Sequence, residues 1–133
     1  MTKPVIQTIM RSDLGRARGL GSGKGGTAHW LAERLTALAL VPLTLWFVYS
    51  IVSLLGASRA AAMAWAGHTV NATLLIALLL ITFKHLALGV QVIMEDYIHS
   101  EGCRFASILA MKAVAGLFCI AGVLATIKLA LAG

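Results

Sequence analysis

The sequence predicts an all-α membrane protein with three transmembrane helices, and three observations carry that prediction. Hydrophobic residues make up 59% of the chain against 12% charged, where soluble domains average about 45–50% and about 25%. Three predominantly apolar stretches, at about 35–56, 67–94 and 105–131, are each long enough to cross a hydrocarbon layer about 30 Å thick. Charge gathers outside them: Lys3, Arg11, Arg16, Arg18, Lys24 and Arg34 precede the first stretch against only Asp13 and Glu33. With 133 residues and a net charge of +6, the chain holds one membrane domain and little room for a separate catalytic one.

Residues 1–34 read as a basic, Gly-rich arm and interfacial segment, and residues 35–133 as the membrane anchor. A basic segment ahead of a hydrophobic span is retained on the cytoplasmic side. The N-terminus and the second connection are therefore expected in the cytoplasm, and Arg59 with the C-terminus opposite. The same charge is expected to serve topology and not nucleic acid. No secretory signal is expected, because the first 30 residues lack a continuous apolar core and a small-residue cleavage site. The run Gly19-Leu-Gly-Ser-Gly-Lys-Gly-Gly26 is no phosphate-binding loop, since Arg18 and Gly25 stand where that motif needs Gly and Ser or Thr. A flexible arm docking on a neighbouring surface is expected instead.

Trp30 suits an interfacial belt at the entry to the first span. Pro42 falls inside that span, where a bend without a break is expected because neighbouring groups in a bundle satisfy the freed carbonyl. A short connection over 57–65 makes the first two spans antiparallel neighbours. The second span is longer than one crossing, so its last turn emerges among the headgroups. A polar cluster from Glu95 to Arg104 separates it from the third span, where Lys112 and Lys128 can snorkel to opposite layers. Gly116 and Gly122 offer small faces for close helix contact. Cys103 and Cys119 stand sixteen positions apart, without metal-site spacing, and read as small apolar residues.

Lys84 and His85 lie deep in the second span, where each is costly without a partner or a route to water. His85 has two readings. It is bonded to a carbonyl or hydroxyl inside the bundle, or it is an axial ligand of haem iron, with Gly89 one turn on leaving space for a flat macrocycle. No second histidine is as deeply placed, so a six-coordinate haem needs its other ligand from another chain. Asp96 lies about 20° and Tyr97 about 120° around the helix from His85, Tyr97 about 18 Å along it. Tyr97 is either an ordinary interfacial tyrosine or a donor to a carbonyl, and Asp96 either a solvated helix end or a group ordering a partner or water beside it.

The segment His85-Leu-Ala-Leu-Gly89-Val-Gln91-Val-Ile-Met-Glu-Asp96-Tyr97 resembles the H-x-x-x-G-x-x-Q-V-x-x-D-Y segment of D-type membrane anchor subunits of succinate dehydrogenase, respiratory complex II, matching it at His85, Gly89, Asp96 and Tyr97 with Gln91-Val one place nearer the glycine. Gly26-Thr-Ala-His29-Trp30 and Arg34-Leu-Thr36-Ala37, the order of three helices and the chain length extend the resemblance over most of residues 14–131. The Glu95-to-His99 form and the Gly-rich arm look like the bacterial versions closest to mitochondria. The resemblance implies a multi-pass subunit of a bacterial inner membrane, bundled with a companion C-type cytochrome b anchor, holding the iron–sulfur and flavoprotein subunits on the lipid surface. It implies that His85 is an axial ligand of haem b and that Tyr97 hydrogen-bonds ubiquinone beside Asp96. Arg34 would lie near the haem propionates and quinone pocket, where a guanidinium suits a carboxylate. His29 has a looser match in that region. Lys84 departs from what the family leads one to expect. The chain alone would be no oxidoreductase but a subunit of one. Two other classes compete: a haem-free anchor or assembly protein, and a small multidrug-type transporter, whose four helices and membrane-embedded Glu are missing here.

Overall fold

In the computed structural model residues 23–132 are described, and they form four α-helices and no strand: α1 Gly23–Ser53, α2 Arg59–Gly67, α3 Thr69–Tyr97 and α4 Glu101–Ala132. Three of them contain stretches long and apolar enough to cross a membrane, Gly26–Ser53, Thr69–Tyr97 and Glu101–Leu131. The chain parts into two compact units between Ala32 and Glu33. The arm expected over residues 1–34 falls mostly outside the described residues, and where it enters them Gly23 to Gly26 are already helical.

Leu, Ala and other good helix formers fill α1, and it runs through Pro42 without interruption. Thr44 Oγ1, just beyond, donates to the Leu40 carbonyl at 2.6 Å and the Val41 carbonyl at 3.1 Å, so the hydroxyl is satisfied within its own helix. The helix ends at Ser53, earlier than the expected span, and a turn follows in which Gly56 has φ 82°. That left-handed conformation strains any residue with a Cβ, and glycine removes the strain.

The connection expected over 57–65 is itself largely helical. Ser58 caps α2 by accepting from the Ala61 backbone N–H at 3.2 Å, and the alanine-rich sequence that follows favours helix over loop. His68, in extended conformation, ends α2 and begins α3. Trp65 ties the segment in place: its ring stacks on Trp46 of α1 with centroids 5.9 Å apart, and its carbonyl accepts from Asn71 Nδ2 of α3 at 2.8 Å. The polar cluster also folds differently from a loop. Glu95, Asp96 and Tyr97 complete α3, only Ile98 to Ser100 connect, and Glu101 opens α4, where a carboxylate suits the positive helix end.

Within residues 33–132, α3 packs on α4 and α2 packs against both. The enclosed side chains are small: Ala66, Ala72, Ala115, Ser50 and Thr126, with Leu88 the one larger exception. Small residues let helix backbones approach where lipid supplies no hydrophobic drive for association. At Gly122 an added Cβ would stand 3.2 Å from both terminal carbons of Leu79, so this glycine sets the α3–α4 approach. Gly116 faces open space and does not share that role.

Candidate functional site

His85 sits in the middle of α3, and the contact that defines its ring is with α1. Thr36 Oγ1 lies 2.9 Å from His85 Nδ1 and also donates to the Glu33 carbonyl at 3.0 Å. With Trp46 on Trp65, this contact runs α1 antiparallel to α3, as the short connection predicts. The structural reading of His85, a bond to a hydroxyl, is thus realised, and it engages only Nδ1. One turn further, an added Cβ at Gly89 would meet nothing within 4 Å. The imidazole and the open face beside Gly89 fit a flat, axially ligated macrocycle approaching from outside this chain. Among the described residues no group of three or more His, Cys, Asp or Glu could hold a metal ion by itself, but an axial haem site asks only one ligand of this chain.

At the far end of α3, Asp96 is exposed, and Tyr97 is 79% exposed with its hydroxyl making no hydrogen bond to the described residues. Gln91, also in the segment that carried the resemblance, donates from Nε2 to Glu95 Oε1 at 2.7 Å. That i to i+4 pair braces the helix end ahead of Asp96. Arg34 is exposed on α1, two residues before Thr36. His29 is half-buried, and its enclosed Nε2 has no hydrogen-bond partner among the described residues. The structure joins Thr36 to His85, while Asp96 and Tyr97 stand about 17–18 Å along the helix from that imidazole.

Two grooves run along α3 and α4. One of about 480 Å³ is apolar, lined by Phe83, Leu86, Met94, Met111 and Phe118 among others. The other, about 230 Å³, brings Lys84 of α3 and Lys112 of α4 together beside Gly116 and Cys119. Neither lysine has an ion-pair partner among the described residues. Two ammoniums on one otherwise apolar face, at a cost of about 2.5–3.5 kcal/mol each near a helix centre, account for the departure at Lys84 only if an anion or water meets them from outside the chain.

Long apolar helices with small interhelical residues, one deep histidine and an exposed polar end define a membrane-embedded subunit built to be completed by others. The family model of the succinate dehydrogenase/fumarate reductase transmembrane subunit matches residues 8–119. The chain is 31% identical to the succinate dehydrogenase hydrophobic membrane anchor subunit of Rickettsia bellii, over 77% of this chain and 82% of that one. It is 28% identical to the succinate dehydrogenase membrane anchor subunit of Reclinomonas americana, over 69% and 79%, and 30% identical to the hydrophobic membrane anchor subunit of Paracoccus denitrificans, over 70% and 71%. No solved structure matches at comparable significance. The chain belongs to the succinate dehydrogenase/fumarate reductase transmembrane subunit family. Its role is that of a membrane anchor within a complex, and it is not catalytic alone.

Proposed function

We propose that this chain anchors the flavoprotein and iron–sulfur subunits of a bacterial succinate:quinone oxidoreductase to the inner membrane, co-ligates haem b and helps form the ubiquinone-reduction site. The observation that carries the haem assignment is the His85 ring, bonded through Nδ1 and flanked by open space at Gly89. His85 would hold the iron from this side, and a histidine of the companion C-type cytochrome b anchor from the other. A bound haem b supplies a one-electron carrier whose potential follows axial ligation and hydrogen bonding. Tyr97 would donate a hydrogen bond from its hydroxyl to a quinone carbonyl, with Asp96 ordering water or a basic group beside it. Arg34 would offer a fixed positive charge to a propionate or the quinone region, and a role for His29 rests only on its looser family match. The N-terminus and the Ile98–Ser100 connection would face the cytoplasm.

The test is purification of the intact complex through this subunit. Co-purification of a flavoprotein separates an anchor from a transporter, and a reduced-minus-oxidised spectrum separates a haem-bearing anchor from a haem-free one. His85→Ala is expected to abolish or strongly perturb the low-spin haem signal, while His68→Ala, at the start of α3, leaves it intact. An unchanged low-spin spectrum in His85→Ala removes His85 as ligand.

A further inference from the structure

We infer that Thr36 is the positioning residue for His85: its hydroxyl oxygen accepts a hydrogen bond from Nδ1–H, fixes the orientation of the imidazole and leaves on Nε2 the lone pair that iron takes. The inference rests on the haem-ligand reading above and adds a residue to it. Thr36 Oγ1 lies 3.0 Å from the Glu33 carbonyl oxygen and 2.9 Å from His85 Nδ1. A hydroxyl has one proton, and a carbonyl oxygen has none to give. The Glu33 bond therefore directs that proton along α1 and presents an oxygen lone pair to the ring, so the proton between Thr36 and His85 belongs to Nδ1. Neutral imidazole carries a single N–H, which leaves Nε2 deprotonated and in the form that binds metal. The opposite arrangement, with Thr36 donating to Nδ1, would put the ring proton on Nε2 and close it to iron.

The helix favours the first arrangement. Threonine in a helix bonds back to the carbonyl three or four residues earlier, and Thr44 on the same helix does so to both Val41 and Leu40. Thr36 makes the same back-bond while also meeting an imidazole 49 residues away. An acceptor on Nδ1–H raises the donor strength of the ligating nitrogen and fixes the ring plane, which favours ferric over ferrous iron.

The experiment compares Thr36→Val, Thr36→Ser and Thr44→Val in the intact complex by haem content, low-spin EPR signal and haem midpoint potential. Thr36→Val is expected to weaken haem retention about 10- to 100-fold and to raise the midpoint potential, Thr36→Ser to stay near wild type, and Thr44→Val to change neither. Wild-type retention, potential and EPR signal in Thr36→Val would overturn the inference. If that complex does not assemble, Thr36→Ala carries the same test. Failure of both with assembly of Thr36→Ser assigns the role to the hydroxyl; failure of Thr36→Ser as well assigns it to side-chain shape and refutes the inference. His85→Ala separates the two levels: an unchanged haem signal there sinks the ligand reading itself, whereas a lost signal there with an unaffected Thr36→Val sinks only the role of Thr36.

Discussion

A phenol whose hydroxyl has no hydrogen bond to the described residues, at the polar end of a membrane helix, can donate to an acceptor from outside, and Tyr97 is in that position. Tyr97→Phe keeps the ring and removes one hydroxyl, so its effect reports the hydrogen bond and not the fold. Losing a donor to a quinone carbonyl in a partly desolvated site should cost about 1–3 kcal/mol, or about 5- to 150-fold in quinone reduction. Electron transfer from succinate to a soluble acceptor upstream of the quinone pocket should stay near normal at equal haem content. Equal loss of both activities would mean that Tyr97 acts through assembly, and no loss of either would leave it an interfacial tyrosine. His85, Asp96 and Tyr97 can be picked out as candidates from the sequence because their spacing along one helix is local. Thr36 is not. It stands within a recognisable segment, yet its bond spans 49 residues, and only the antiparallel approach of α1 and α3 brings the two together. Gly89 is a further case: the sequence marks it as small, and the structure adds that the space beside it is open.

At the scale of elements, hydropathy locates the three spanning helices because lipid demands that every backbone group be satisfied within them. It does not locate where helices begin and end, because hydrogen bonding continues past the apolar run into the headgroup layer. So α1 starts at Gly23 ahead of its apolar stretch, and the Glu95–Arg104 cluster is mostly helix. The short helix α2 had a readable signal, Ser58 before an alanine-rich run, but a stretch so brief between two spans reads first as a connection. Glycine roles divide in the same way. Composition marks Gly116 and Gly122 alike, and only packing distinguishes the one against Leu79 from the one on the lysine groove. Gly122→Ala should be nearly neutral, because the tips of the flexible Leu79 side chain can give by a few tenths of an ångström and alanine favours helix by about 1 kcal/mol. Gly122→Ile should force α3 and α4 apart and destabilise by about 1–3 kcal/mol, seen as a lower melting temperature of the detergent-solubilised complex. An isoleucine variant as stable as wild type would show that Gly122 does not set this approach.

For the whole molecule the decisive fact is how little of each span the chain covers by itself. Tyr49 is 75% exposed, Leu38 70% and Phe105 70%, side chains that in water would each forfeit about 1.5–3 kcal/mol of burial. Lipid and partner subunits are the only surroundings in which such a surface is stable, which is why a subunit of this family is unfinished alone. Orientation then rests on charge. The basic residues before the first span outnumber the Lys and Arg beside either connection, where Arg59 and Arg104 stand, and the prediction from retention of positive charge is that this end stays in the cytoplasm. Three crossings put the termini on opposite faces and return the second connection to the side of the first end. Single cysteines at positions 2 and 133, placed in a chain lacking the native thiols, and native Cys103, exposed at the start of α4, can each be probed with a membrane-impermeant maleimide. In intact spheroplasts the label should reach position 133 alone; in inside-out vesicles it should reach position 2 and Cys103 but not 133. Because Cys103 reports the same face as position 2 only if α1 and α3 both cross the membrane, labelling of the two from opposite sides would break the three-span topology itself. Labelling of position 2 and Cys103 together from the outside would keep the three spans and invert them, and the end of α3 proposed to meet quinone would then lie across the membrane from the cytoplasmic surface on which the proposed flavoprotein partner must dock.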